Sequence, residues 1–362
     1  MSCIPVSRPA IAGLAALAAS VVLLAGCSPE QRQRLPALEA VTDRTSVSGI
    51  SSGAYMAGQF QIAHSRLVIG AAIIAGGPYG CAESLFADML PGPGSAFLNM
   101  TKAINGCMLN AMQIWGVPNP PLLASKARRL AENDRIDPIA GIADDRVYLF
   151  AGKEDRTVVP AIVLAAAQLY SELGVPSGQV VLESRLSAGH AFVTEDRGLA
   201  CDHTGKPYVV DCDYDQAGAL LAHIYGPLQP RSTTPQGHYL VFDQRSFTHD
   251  LGDHGMSDTG VAYIPEACRQ SVRCRVHIAF HGCAQNRALV EDVFVKDTGF
   301  ARWADTNGLI VLFPQTATSP LNPQGCWDWW GYTGRGYLTR DAPQIEAVHR
   351  MLGRLAGSRA SS

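Results

Sequence analysis

The chain has 362 residues, ten of them cysteine, and a formal charge of −3 from 29 basic and 32 acidic side chains. That near balance, without a basic run, argues against a nucleic-acid surface, and beyond the N-terminal leader no apolar stretch is long enough to span a bilayer. The remaining residues, about 335, suffice for one large or two ordinary domains.

Arg8 precedes an apolar run over residues 10–24, the length of a signal-peptide core and short for a spanning helix. The run ends in Leu24-Ala25-Gly26-Cys27, which resembles the lipobox of bacterial lipoproteins. That resemblance implies removal of residues 1–26 and a lipid on Cys27. The alternative is an ordinary signal peptide and a secreted protein. Ser28 after the cysteine, rather than Asp, implies retention at the outer membrane, on its periplasmic or surface side. Residues 27–45 are then the lipidated cysteine and its tether, polar over residues 28–40 with Pro29 and Pro36. Export suits the other cysteines: besides Cys3 and Cys27 there are Cys81, Cys107, Cys201, Cys212, Cys268, Cys274, Cys283 and Cys326. Their even number fits disulfides in an oxidising compartment, although sequence alone cannot pair them. Short spacing favours Cys201–Cys212 and Cys268–Cys274. A zinc site is the weaker rival, because Cys-x-x-Cys is absent; no metal and no cofactor are expected.

A strand over residues 46–50 enters a Gly/Ser turn. A helix over 54–65 follows, with Tyr55, Met56, Phe60 and Ile62 at helical spacing. The unbroken apolar run 67–75 reads as a strand buried on both faces. Residues 81–119 read as an irregular excursion. A helix over 122–133, a strand over 146–151, a helix over 162–173 and a strand over 179–186 alternate as in an α/β parallel sheet. After a loop-rich region, 200–237, strands are expected at 239–242, 261–264, 275–280 and 309–313. A helix is expected at 290–304 and another at 344–355. Without repeats or a linker, residues 46–356 read as a single domain and 357–362 as a disordered tail.

The segment Gly49-Ile50-Ser51-Ser52-Gly53 matches G-x-S-x-G between a strand and a helix, the setting of a nucleophile elbow. Ser51 is the expected nucleophile, with Ser52 its neighbouring rival. The backbone N–H of Ser52 is then an expected oxyanion donor. A serine needs a base. His190, in Ala188-Gly189-His190-Ala191-Phe192, follows the strand over 179–186, at the end where such sheets gather their sites. Asp155 follows the strand over 146–151 in Gly-x-x-Asp-x-x-Val and is the expected acid, with Glu154 as the fallback. The His-Gly oxyanion motif that normally precedes the nucleophile stands here after the whole triad, at His281-Gly282-Cys283. The simplest reading is a circularly permuted α/β-hydrolase, a mostly parallel sheet flanked by helices, with Cys283 N–H completing the oxyanion hole.

The elbow, Cys268 with Cys274, the strand ending in His281-Gly282-Cys283-Ala284-Gln285, and Cys326-Trp327-Asp328-Trp329-Trp330-Gly331-Tyr332 occur in this order. Together they resemble the circularly permuted poly(3-hydroxybutyrate) depolymerase family over nearly all of residues 46–355. The resemblance implies a serine esterase with Ser51, Asp155 and His190 as triad, Ser52 and Cys283 as oxyanion donors, and a Cys283–Cys326 disulfide. Its substrate would be a polyester or oligoester. The aromatic cluster Trp327, Trp329, Trp330 and Tyr332 suits one, since rigid rings bury methyl-bearing chain and an indole N–H can reach a carbonyl. Many extracellular members add a linker and a polymer-binding domain, which are not seen here; that shifts the expectation toward oligomers or amorphous material. Two rival readings are a feruloyl or acetyl esterase of the same superfamily and a non-catalytic surface lipoprotein whose only membrane contact is its anchor.

Overall fold

The apolar runs of the sequence become the strands of an eight-stranded sheet in a computed structural model that describes residues 33–84, 95–270 and 272–359. The expected leader and Cys27 lie outside the described residues, as do residues 360–362. The first half of the chain forms β1 (Val41–Ile50), α1 (Ser52–Ala63), β2 (Val68–Ile74), α2 (Ser95–Cys107), α3 (Pro120–Glu132), β3 (Arg146–Phe150), α4 (Pro160–Glu172) and β4 (Val180–Glu183). Then come β5 (Phe192–Thr194), β6 (Leu199–Ala200), β7 (Val209–Asp211), α5 (Gln216–Tyr225), β8 (His238–Asp243), β9 (Thr259–Ile264) and α6 (Glu266–Gln270). The last are β10 (Arg275–Phe280), α7 (Arg287–Val290), α8 (Val293–Asp297), α9 (Phe300–Asn307), β11 (Leu309–Phe313) and α10 (Pro343–Ala356).

The strand order is β4-β3-β2-β1-β10-β11-β9-β8. Pairing is parallel from β4 to β11 and antiparallel at β9 and β8. If β8 to β11 are numbered ahead of β1, the order reads 1-2-4-3-5-6-7-8 from the β8 edge. This is the circularly permuted α/β-hydrolase sheet expected from the displaced His-Gly motif. From the central pair β1 and β10 the chain leaves in opposite directions, to β2 and to β11. Such a switch point opens a crevice at the carboxyl ends of the strands.

Alternate residues of the central strands feed two cores. Val276, Ile278 and Phe280 of β10 and Ile310 and Leu312 of β11 join one, with α1, α3, α4 and α10. Ala279, Leu309, Val311 and Phe313 join the other, with α5, α8 and α9. Each fully buried aliphatic side chain contributes about 1.5–3 kcal/mol, so the strand ends that carry the site stand on a firm platform.

Several expected boundaries move. The first strand starts at Val41, not at residue 46. The expected tether shortens, because Leu35, Leu38 and Ala40 are buried in the core and the N–H groups of Leu38 and Ala40 both reach the Leu355 carbonyl. The first residues of the expected tail, 357–359, are held through Arg359, whose guanidinium donates to the carbonyls of Leu38, Cys268, Arg269, Gln270 and Val272. The single helix expected at 290–304 is broken into α7, α8 and α9, with Glu291 (φ 55°) and Gly299 (φ 84°) in left-handed conformations at the breaks. The irregular excursion contains α2, and the loop-rich region contains α5. Asp215 caps α5 by accepting from Gly218 N–H. Among the described residues four disulfides form: Cys81–Cys107, Cys201–Cys212, Cys268–Cys274 and Cys283–Cys326. Among the described residues no helix is long and apolar enough to cross a membrane.

Candidate active site

Ser51 sits between β1 and α1 with φ 57° and ψ −122°, a conformation that costs a non-glycine residue about 1–3 kcal/mol. The flanking glycines make the turn possible. A Cβ on Gly49 would lie 2.1 Å from the Gly53 carbonyl oxygen, and a Cβ on Gly53 would lie 2.3 Å from that of Phe280. The elbow is thus pressed against its own exit and against the end of β10. Ser51 Oγ makes no hydrogen bond to another described residue; the neighbouring Ser52 Oγ accepts from Trp327 N–H at 3.3 Å.

Asp155 and His190 leave the same sheet edge, after β3 and β4, and meet there. The imidazole Nδ1 lies 2.8 Å from Asp155 Oδ2. The other carboxylate oxygen accepts from the N–H groups of Thr157 and Val158, each at 2.8 Å. Both residues are buried. Since Asp155 Oδ2 can only accept when ionised, Nδ1 carries the proton and Nε2 is left as the basic nitrogen. Glu154 is instead an exposed partner of Arg156.

Beside Ser51 stands the loop after β10. A Cβ on Gly282 would lie 3.5 Å from Ser51 Cβ, so this loop abuts the elbow. Neither Ser52 N–H, at the first turn of α1, nor Cys283 N–H is used by another described residue. Buried polar groups hold the two loops in place. His277 spans from β10 to β1, with Ser46 Oγ 2.7 Å from Nδ1 and Ser48 Oγ 2.8 Å from Nε2. His281 donates from Nδ1 to the Gly282 carbonyl at 2.7 Å, while Nε2 accepts from Thr316 N–H at 3.3 Å. Burial pushes His277 down to about 3 and His281 down to about 4, the latter against the raising effect of the Gly282 carbonyl. His64, behind α1, is pushed down to about 3, by burial and then by His349 and Arg340.

These three imidazoles stay neutral in the folded protein but accept a proton near 6.5 when unfolded. Their folded pKa values are depressed, so the unfolded chain binds more protons below 6.5 and stability falls from there toward 4 and 3. Each contributes about 1.4 kcal/mol per pH unit in that window. Asp145, pushed up to about 8 by burial, opposes one of them above 3.8. A lower urea midpoint at pH 4.5 than at pH 7 is therefore expected, and equal midpoints would contradict it.

The aromatic segment divides. Trp327 is fully buried, edge-on to Phe280 with ring centroids 4.9 Å apart. It is a core residue of a cluster expected as a whole to line the substrate. The Tyr332 hydroxyl is committed to the scaffold: it donates to the Cys326 carbonyl at 2.9 Å and accepts from Asn322 and Gln344. Trp329 and Trp330 share an apolar cluster with Tyr55 and Cys283, and Trp329 stacks on Tyr55 at 4.5 Å. Asp328 shapes this segment, a role not read from the sequence. Its carboxylate accepts from the N–H groups of Trp330, Gly331, Tyr332 and Thr333 and from the Thr333 hydroxyl. An Asp followed by Gly and Thr is a local turn signal that could have announced it. Among the described residues no group of three His, Cys, Asp or Glu is placed to hold a metal ion.

No family model matches the chain. It is 39% identical over 347 residues to the poly(3-hydroxybutyrate) depolymerase of Delftia acidovorans, covering 94% of this chain and 65% of that relative. The chain thus spans just under two thirds of that relative's length. It is 32% identical over 333 residues to the polyhydroxybutyrate depolymerase of Talaromyces funiculosus, covering 87% of this chain and 90% of the relative. Two solved structures superpose on it. A PHB depolymerase serine-to-alanine variant complexed with an R3HB trimer gives a TM-score of 0.79 at 30% identity, covering 90% of this chain and 99% of the other. The PHB depolymerase of Penicillium funiculosum gives 0.76 at 31% identity with the same coverage.

Proposed function

This chain belongs to the poly(3-hydroxybutyrate) depolymerase family, and from that premise we propose that it is a serine esterase cleaving poly(3-hydroxybutyrate) or its oligomers. Ser51 Oγ attacks the ester carbonyl while His190 Nε2 takes its proton, and Asp155 stabilises the imidazolium. The carbonyl oxygen, now negative, is held by the N–H groups of Ser52, at the start of α1, and of Cys283, in the loop after β10. The alcohol leaves with the proton from His190. Water, deprotonated by the same nitrogen, then releases the acid from Ser51. One observation supports the reading: at the switch point a strained Ser51 abuts the Gly282–Cys283 loop, and the hydrogen-bonded Asp155–His190 pair leaves the same edge of the sheet. Trp329 and Trp330, although largely buried beside Tyr55 and Cys283, are the proposed apolar wall. The lipobox ending at Cys27 would tether the enzyme at the bacterial outer membrane, and the four disulfides suit an oxidising compartment.

A solid substrate needs an apolar face beside the site. Asn99 Nδ2 donates to the Trp330 carbonyl at 3.1 Å, which fixes α2 on the aromatic segment. Around that contact Phe97 is 66% exposed, and nearby in the chain Ile114 and Trp115 are 78% and 61% exposed. These exposed apolar side chains are proposed to meet the polymer surface, as exposed apolar patches often do. The test is a product profile on 3-hydroxybutyrate trimer, amorphous polymer film and feruloyl esters. Release of hydroxybutyrate supports the reading; release from feruloyl or acetyl esters alone overturns it. In the same assay the double variant Ile114→Ser, Trp115→Ser is expected to lose about tenfold on film, equivalent to about 1.4 kcal/mol of lost apolar contact. Its rate on the trimer should not change.

A further inference from the structure

We infer that Gln285 is a positioning residue that fixes the oxyanion loop against the loop carrying the base, an inference that rests on the esterase reading above. The Gln285 carboxamide is fully buried. Its Oε1 accepts from Gly282 N–H at 2.7 Å, one residue before the Cys283 N–H. Its Nε2 donates to the carbonyls of Pro207 at 3.2 Å and Tyr208 at 3.0 Å. Only one orientation of the amide satisfies all three contacts, because exchanging oxygen and nitrogen would set donor against donor and acceptor against acceptor.

The segment it grips is the one that holds His190. The Tyr208 carbonyl also accepts from Phe192 N–H at 2.9 Å, two residues past the base. Thr204 Oγ1 accepts from His190 N–H at 2.8 Å, and the Cys201 carbonyl accepts from Gly189 N–H at 2.9 Å. Tyr208 itself is held at φ 58°, a region that bulky residues rarely adopt. A short chain of hydrogen bonds therefore runs from Gly282 N–H through the Gln285 amide to the Tyr208 carbonyl, and on to the backbone beside His190. The two loops belong to strands on opposite sides of β1, β4 and β10. Only neighbours fixed in this way keep an oxyanion donor and a base in register to a fraction of an ångström, and misplacement by about 1 Å can cost a hundredfold in rate.

The test is Q285E, nearly the same shape, which replaces the amide donor by a carboxylate oxygen facing two carbonyls. Active sites are first counted by fluorophosphonate labelling. Then kcat and KM on 3-hydroxybutyrate trimer, and affinity for an alkyl boronate that forms a tetrahedral adduct on the serine, are measured per labelled site. The expected result is about ten- to hundredfold lower kcat, a parallel loss of boronate affinity, and KM within about twofold. Lowering the pH should narrow the deficit relative to wild type, because a protonated Glu regains one donor. Wild-type kcat per site, or a loss confined to thermal stability and to the number of labelled sites, would overturn the inference. A Q285M variant removes both halves of the link and is expected to lose at least as much kcat; if it does not fold, Q285E decides. Ser51→Ala runs alongside: if it keeps full activity the esterase reading fails, whereas an inactive Ser51→Ala beside a fully active Q285E fails only the Gln285 link.

Discussion

Ser51→Ala is expected to lower hydrolysis of 3-hydroxybutyrate trimer by about ten-thousand-fold or more and to leave the melting temperature within a few degrees of wild type. The two halves of that expectation have separate causes. Ser51 Oγ makes no hydrogen bond to another described residue, so removing it breaks no link of the scaffold. Alanine keeps the Cβ, so the positive φ at the elbow is no easier and no harder to hold. The chemistry, by contrast, loses its nucleophile, and only oxyanion binding and substrate orientation remain to act on water. Initial rates by chromatography, with intact mass after fluorophosphonate treatment, check both halves. Labelling that persists in Ser51→Ala and maps to Ser52 would reverse the assignment of the two serines. The geometry argues against that outcome, because Ser52 Oγ is engaged with Trp327 N–H.

What the sequence made legible were features whose physics is local. The bounds of β10 and β11 coincide with the expected strands because β11 is an apolar run and β10 a largely apolar one, each closed by turn residues. The placement of Ser51, Asp155 and His190 at one sheet edge follows from each standing just after a strand of a parallel sheet. Cys201–Cys212 and Cys268–Cys274 form as their spacing suggested. Features set by distant packing were not legible. The helix α5 was hidden by Gly218, a poor helix former, which is there because the Trp303 ring lies against it: a Cβ would meet Trp303 Cζ2 at 2.5 Å. Residues 33–40 look like a polar tether until Leu35 and Leu38 are seen inside the core beside α10. Nor does composition tell which tryptophan of the cluster is core. Trp327 is buried because it sits on Phe280 and His281 beneath the oxyanion loop, while the Asp328 turn carries the next two toward Tyr55.

Gly53→Ala is expected to destabilise the protein by about 3 kcal/mol or more and to reduce the activity of the molecules that still fold by about a hundredfold. The added methyl would stand 2.3 Å from the Phe280 carbonyl oxygen and 2.4 Å from that of His281. These are backbone atoms at the end of β10, pinned by the β1 and β11 ladders and by His277. They cannot swing aside as a side-chain tip could. Relief requires α1 to tilt away or the loop at Gly282 and Cys283 to retreat, and either motion would separate the two proposed oxyanion donors. Gly353→Ala is the matched control. It lies within α10, where an added Cβ would meet nothing within 4 Å, so the same chemical change should stabilise by up to about 1 kcal/mol through helix propensity alone. Urea unfolding of the two variants, with trimer hydrolysis normalised to the folded fraction, separates the contributions. The glycine at the end of the G-x-S-x-G motif would then be a steric requirement of the permuted sheet: it lets a helix that follows β1 press against a strand more than 220 positions later in the chain. A Gly53→Ala protein with the wild-type midpoint and wild-type turnover would show that this contact yields easily, and the rigid approach of α1 to β10 would no longer support Ser52 and Cys283 as the proposed pair of oxyanion donors.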